Sequence, residues 1–264
     1  MNIFIHAQKA LIESSIHKKI ELVANLYTSI SSIDFVVPTW DTSLSRQPGR
    51  PSKPELVLAK LLPKRSVATL QGRAALMHSI AHIEFNAINL ALDALCRFKG
   101  LPDEYYLDWL CVAYEESQHF LLCEQYLITH GFNYGDFNAH NGLWEMAQKT
   151  AHCPLVRMAL VPRILEARGL DVTPMIIEKF NKVHDLKAKE ILTLIEEEEV
   201  KHVKIGNKWY KFLCSQQNLN PLTTFRDLIL KYAKNYIKLP LATTRRMEAG
   251  FNTAELNMLK QLAT

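Results

Sequence analysis

Glu196-Glu197-Glu198-Glu199-Val200-Lys201-His202 is the stretch on which the reading of this chain turns. Alone it is an acidic run. In its setting, apolar residues recur at helical spacing from about 185 to 212. Leu192 and Ile195 stand a turn or so before Glu199 and His202, and Val203 and Gly206 a turn after, all on one face. A carboxylate and an imidazole three positions apart are neighbours on a helix, here inside an apolar stripe. Burying both without compensation is costly. A metal ion is the compensation that suits their chemistry, provided the rest of the chain supplies further ligands.

Each of the other long apolar patterns carries the same kind of interruption. The first is predicted from about 66 or 72 to 98, stopped by Lys99-Gly100. Met77, Ile80, Ala81, Ala87, Ile88 and Ala91 surround Glu84 on its face. The second runs from about 102 to 130 and ends at Gly131. Trp109, Val112, Ala113, Phe120 and Cys123 share a face with Glu116 and His119, a second Glu-x-x-His. The third is predicted from about 143 to 168, ending at Gly169, with Leu155, Ala159, Pro162 and Leu170 beside Glu166. Pro154 and Pro162 should each kink it or mark a local irregularity, or Pro154 should start a fresh helix. A short helix is expected from Pro174 with Thr173 as its N-cap. The opening stretch lies on the fourth.

The set is therefore Glu84, then Glu116 with His119, then Glu166, then Glu199 with His202. Glu116 follows Glu84 by 32 residues and Glu199 follows Glu166 by 33, so the chain carries two similar helix pairs. Packed about a pseudo-two-fold axis, they give each of two metal ions one histidine, one terminal carboxylate and a share of two bridging carboxylates, as in di-iron and di-manganese helix bundles. Four carboxylates balance two divalent cations, and a neutral cluster can be buried where four bare carboxylates could not all stay ionised. Oxygen and imidazole donors without thiolate favour iron, with manganese the alternative.

Glu196, Glu197, Glu198 and Glu115 are read as solvated helix surface, with Glu196 the one that could reach the surroundings of the ligands. Arg163, one turn before Glu166, either orients a ligand carboxylate or makes an unrelated salt bridge. His78, His82 and His152 fall off the ligand stripe or several turns from it and read as packed, hydrogen-bonded histidines. Tyr105, Tyr106 and Tyr114 read as packing residues.

Around this core, 264 residues with 48% hydrophobic content describe a globular chain, and scarce glycine with few β-branched runs favours helix throughout. The fold class is all-α: a four-helix bundle over 71–215, an N-terminal helical and strap extension over 1–70, and a helical tail over 216–264, together one structural unit. Residues 3–31 read as a helix or helix pair. A strap follows, opening at Val37-Pro38-Thr39-Trp40 and closing through Pro48, Pro51 and Pro54, which forbid regular helix. Its Arg46, Arg50 and Lys53 could touch an anionic partner, though a solvated connector is the plainer reading. In the tail, 225–237 looks helical, Leu239-Pro240 breaks the pattern, and a turn over 249–253 caps a last helix over 254–262. A net charge of +4 with scattered basic residues permits a nucleic-acid partner without arguing for one. Five cysteines without finger or redox spacing indicate a reduced cytoplasmic protein. No signal peptide is expected, and no apolar run approaches the ~20 residues that span a bilayer, so no membrane partner is expected either.

The surrounding text carries a resemblance. His82-Ile83-Glu84-Phe85-Asn86-Ala87-Ile88, Tyr134-Gly135-Asp136-Phe137, Trp144-Glu145-Met146-Ala147 and the run from Leu160 to Asp171 resemble a bacterial branch of the ferritin-like superfamily known only as a domain of unknown function. The resemblance covers roughly residues 70–215. It implies a four-helix bundle and places ligand roles on the same six residues, with no motif position missing. It does not imply a known reaction.

A reduced iron pair with open positions binds and reduces dioxygen. The favoured function is an oxidoreductase that activates dioxygen to hydroxylate or oxidise a small-molecule or RNA substrate, fed by an electron donor. The alternatives are a ferroxidase or iron-handling protein, and an RNA-binding, tRNA-modifying protein with structural metals. A dimer is compatible with the tail.

Overall fold

Apolar periodicity becomes helix almost everywhere in a computed structural model that describes residues 1–38, 47–63 and 65–263. Among these residues the only β-type pairing is two isolated bridges, Asn2 with Asp34 and Leu56 with Ala139. Packing divides the chain into two units, Met1–Gln148 and Lys149–Thr264.

The first unit is built on two long helices, α3 (Leu70–Arg97) and α4 (Asp103–Thr129), each packed along the other. A short connection turns the chain back on itself, with Gly100 at φ 74°, a conformation that suits glycine. Thr69 starts α3 by accepting from the Gly72 amide at 3.1 Å, and Gly131 closes α4 at φ 79°. Two helices cover this pair: α1 (Ile3–Ile12) packs on α3, and α2 (Ile16–Thr28) packs on α4. Because α3 is covered on both sides, it is buried from Met77 to Cys96 except at Ser79 and Ile83. Its polar residues turn inward onto their own backbone. The Asn86 amide donates to the His82 carbonyl at 2.7 Å and the Asn89 amide to the Phe85 carbonyl at 3.0 Å.

Lys19 is fully buried in this unit. Its ammonium donates to the carbonyls of Ala10 and Leu11 at 2.9 and 2.8 Å, which end α1, and to Asn89 Oδ1 at 2.8 Å. Burial pulls its pKa down to about 7, against the pull of Glu13. Between that value and the ordinary lysine value of 10.5 the unfolded chain holds a proton that the folded chain has released. Stability of the native protein relative to a Lys19→Met variant is therefore expected to rise with pH across this window and to be lost as pH falls to 7. Paired urea titrations at neutral and alkaline pH measure it.

The strap lies against the loop that follows α4. Val57 N donates to Ala139 O at 2.8 Å and Ala139 N to Glu55 O at 3.0 Å, so the segment is extended and anchored, not solvated throughout. Arg50 donates to Asn141 Oδ1 at 2.9 Å. The expected opening of the strap at Thr39 and Trp40, and Arg46 within it, lie outside the described residues. The unit closes with α5 (Gly142–Lys149).

The third pattern, expected over 143–168, is divided at Pro154, as one of its two readings allowed. Pro154 starts a new helix, α6 (Pro154–Leu160), at the position where a missing N–H costs nothing. The helix then widens into a π segment, Val161–Glu166, which contains Pro162. It resumes as α7 (Ala167–Lys182) and runs through both Gly169 and Pro174. Neither the expected stop at Gly169 nor a separate helix capped by Thr173 forms. Gly169 keeps an ordinary helical φ, for it is not among the positive-φ glycines. A glycine costs only about 1 kcal/mol in a helix, and packing of α7 along α8 (Leu186–Gln216) outweighs that. Asp185 caps α8 by accepting from the Ala188 amide at 3.1 Å. Helix α9 (Pro221–Tyr232) packs on α6, α10 (Thr243–Glu248) on α7 and α8, and α11 (Thr253–Leu262) on α9. Among the described residues, no helix is long and apolar enough to cross a membrane.

Candidate metal centre

Helix α3 brings Glu84, and α4 brings Glu116 and His119, to one interior point of the first unit. All three are buried, at 3%, 1% and 0% exposure. Each offers a ligand atom, and these atoms lie within 4.8 Å of one another. His119 Nδ1 sits between the carboxylates, 3.2 Å from Glu116 Oε2 and 3.3 Å from Glu84 Oε2. The Glu84 oxygen is buried and accepts no well-formed hydrogen bond. Burial raises the Glu84 carboxyl well above the usual carboxylate range, and the charge of Glu116 raises it further, against the opposing pull of His119. Two buried carboxyls and one imidazole thus converge, and two like charges held this close in the interior call for a compensating positive one. A cation at that point would supply it, so the donor set and the poorly satisfied oxygen fit a metal ion.

One turn beyond His119, Cys123 is fully buried, and its thiol is pushed far up by burial and by the charges of Glu84 and Glu116. It packs as a neutral thiol. The neighbouring residues Phe85 and Phe120 join an aromatic cluster, with their ring centroids 6.1 Å apart and Tyr134 5.1 Å from Phe120.

In the second unit the same motif has a similar local form. His202 is fully buried on α8, with Nδ1 3.7 Å from Glu199 Oε1, and the Glu199 side chain is 13% exposed. Leu192, Ile195, Val203 and Gly206 flank the pair and are buried, as their spacing requires. Glu166 is the last residue of the π segment and is half-buried.

Arg163 and Glu196 are committed elsewhere. The Arg163 guanidinium donates to Asn207 Oδ1 at 2.8 Å, pairs with Glu255, and stacks on Phe225 and Tyr210 at 3.7 and 4.1 Å. Glu255 also completes the capping box of α11 with Asn252. The Asn-x-x-Glu spacing at the start of an apolar pattern was the signal for that cap, but nothing in the sequence announced its buried arginine. Replacing Arg163 with methionine leaves the buried Glu255 carboxylate without its cation, with the Asn252 amide still donating to it. A loss of about 3–5 kcal/mol is expected by denaturant titration. Glu196 is not solvated: it is buried and accepts from Arg245 Nε at 3.0 Å, tying α8 to α10. Glu197 is exposed and Glu198 half-buried.

His78 and His82 are buried and packed. His82 Nδ1 meets the Tyr134 hydroxyl at 2.8 Å, and Gly135 N donates to His78 Nε2 at 2.9 Å. The five cysteines are free thiols.

An all-helical chain with a buried glutamate and histidine cluster compatible with a metal ion is the class that fold and site define. A family model described as a protein of unknown function, DUF455, matches residues 12–257, and the chain belongs to that family. It is 49% identical over 219 residues, 80% of its own length and 76% of the relative's, to an uncharacterized protein of Haemophilus influenzae. No solved structure matches.

Proposed function

We propose that this protein is a di-metal carboxylate oxidoreductase of the ferritin-like kind, with Glu84, Glu116, His119, Glu166, Glu199 and His202 as its ligands. The observation that carries the reading is the burial of Glu84 and Glu116 against one histidine nitrogen, with a Glu84 oxygen left without a well-formed hydrogen bond. The repetition of a lone glutamate followed by Glu-x-x-His in each unit supports the rest of the set, and a four-helix bundle drawn from α3, α4, the α6–α7 segment and α8 is the architecture that would join them. Iron suits the donors best, and manganese is the alternative.

When bound, an iron pair would supply the electrons and open positions for dioxygen chemistry. The chain's own residues do the remaining work. The four glutamates match the charge of two divalent cations. His119 and His202 each add a neutral nitrogen donor. Burial of Glu84, Glu116 and His119 keeps water from them, which strengthens every electrostatic interaction there. The substrate is a small molecule or an RNA, and an electron donor is required.

The test begins with metal content of the protein as isolated, by mass spectrometry and anomalous scattering, where about two iron or manganese ions per chain are expected. The reduced protein is then mixed with oxygen and candidate substrates, and products are sought by mass. Oxidation of iron without any organic product, in a large assembly that stores many ions per chain, would make the protein an iron-handling one instead. A protein isolated without metal that takes none up would end the proposal.

A further inference from the structure

We propose that the second unit binds a small monovalent anion, of the size of a halide, in a cleft between α7 and the segment that joins α9 to α10. Arg168 and Asp171 of α7, Lys238 of the joining segment and Arg246 of α10 line one small cavity. Its volume is about 10 Å³, room for about one water-sized guest. Three of these four side chains are cations, and Asp171 is the one carboxylate among the described residues that line the cavity. Ile164, Leu241 and Leu259 supply apolar wall.

The acceptor capacity of Asp171 is used up. Its Oδ1 accepts from Arg246 Nε and from the Ala242 amide, both at 2.8 Å, and its Oδ2 from Arg246 Nη2 at 2.7 Å and Arg168 Nη1 at 3.3 Å. Those bonds fill the lone-pair positions of a carboxylate. Arg168 Nη1 also donates to the carbonyls of Lys238 and Pro240, at 2.9 and 3.1 Å, which draws the joining segment onto α7. Arg246 is 3% exposed, and its Nη1, outside the edge that faces Asp171, is buried with no acceptor. One carboxylate thus answers two guanidinium groups, and Lys238 adds a third positive charge. The carboxylates of neighbouring turns are engaged elsewhere, Glu196 and Glu248 with Arg245 and Glu255 with Arg163, and Glu166 does not line the cavity. An anion there relieves both the missing acceptor and the surplus charge. The small volume admits a single heavy atom, and a halide suits a wall of N–H donors beside apolar carbon. Lys238 is exposed, so the anion can enter from solvent. The site stands whether or not the glutamates hold metal.

The experiment follows the chloride NMR line width of the whole protein in sodium chloride, with sodium gluconate holding the ionic strength constant, and locates bromide in crystals by its anomalous scattering. Saturable broadening that bromide reverses, and a bromide peak beside Arg246 and Arg168, are expected. Arg246→Lys keeps a cation for Asp171 and removes Nη1, so it should weaken chloride binding by about tenfold or more. Lys238→Gln changes an exposed residue and should weaken binding by roughly threefold, with the melting temperature in gluconate unchanged. It carries the test by itself if Arg246→Lys fails to fold. Sodium acetate is the competing arm. Acetate that displaces chloride less readily than bromide does supports the halide. Acetate that displaces it more readily overturns the halide and assigns the cavity to the carboxylate of an organic ligand. No saturable broadening, or broadening that neither variant weakens, means that the cavity holds water only and removes the site.

Discussion

Glu116→Gln is expected to lower the metal affinity of the protein by about 100-fold or more, equivalent to roughly 2.7 kcal/mol. Changes to groups that merely orient metal ligands already cost 10- to 100-fold, and a ligand carboxylate should exceed them. The substitution keeps shape and removes charge, so in the proposed ligand set it would leave three carboxylates to match two divalent cations. In the metal-free chain it has the opposite sign. Glu116 is buried and its charge bears directly on Glu84, so its neutralisation removes a repulsion. The metal-free variant should therefore melt no lower than the metal-free native protein, and the native protein should be the more stable only when metal is present. Metal content per chain, with calorimetry before and after chelation, separates the two signs. A variant that retains its full metal content would show that Glu116 is an ordinary buried carboxylate.

Gly206→Ala should be the most damaging single-atom change in the second unit. A Cβ at this position of α8 would lie 2.3 Å from Pro162 Cβ and 2.5 Å from Pro162 Cγ. A proline ring has no flexible end to move aside, so either α8 or the π segment must shift. Overpacking of this kind costs typically 1–3 kcal/mol, and the upper end or beyond is expected where the neighbour is rigid. The displaced segment ends in Glu166, so loss of bound metal should accompany the loss of stability. Pro162→Gly removes both atoms in the way. In a double-mutant cycle the pair should show a favourable interaction energy, recovering part of what each change loses alone. Strict additivity in the cycle would mean that the helices do not meet as described.

Much of this was legible in the letters because helical periodicity is a local property. The stops at Gly100 and Gly131 followed from glycine's access to positive φ, and both occur. The burial of Glu84, Glu116, His119 and His202 followed from their place among apolar residues three and four positions away, and all four are buried. The fresh start at Pro154 and the irregularity at Pro162 were also legible, but the stretch from Gly169 to Lys182 misled for a physical reason. Proline and glycine report what a helix would rather avoid, not what packing can impose, and here packing along α8 prevailed. Arg163 and Glu196 illustrate a second limit. Their partners, Glu255 and Arg245, lie 92 and 49 residues away, and no spacing rule reaches that far. Lys19 was unreadable in the same way, since its acceptors are the carbonyls of a neighbouring helix and an amide of α3.

The widened turn between Val161 and Glu166 constrains how the gene can change in length. A π turn carries one residue more than the ordinary ladder needs, so excising a residue there would restore regular α-helix. It would also swing everything on one side of the cut about 100° around the axis relative to the other, carrying Glu166 off its present heading. The number of residues between Pro154 and Glu166 is thus held as firmly as the identity of Arg163 among them, and a chain that keeps Glu166 on its present heading must keep the surplus residue with it.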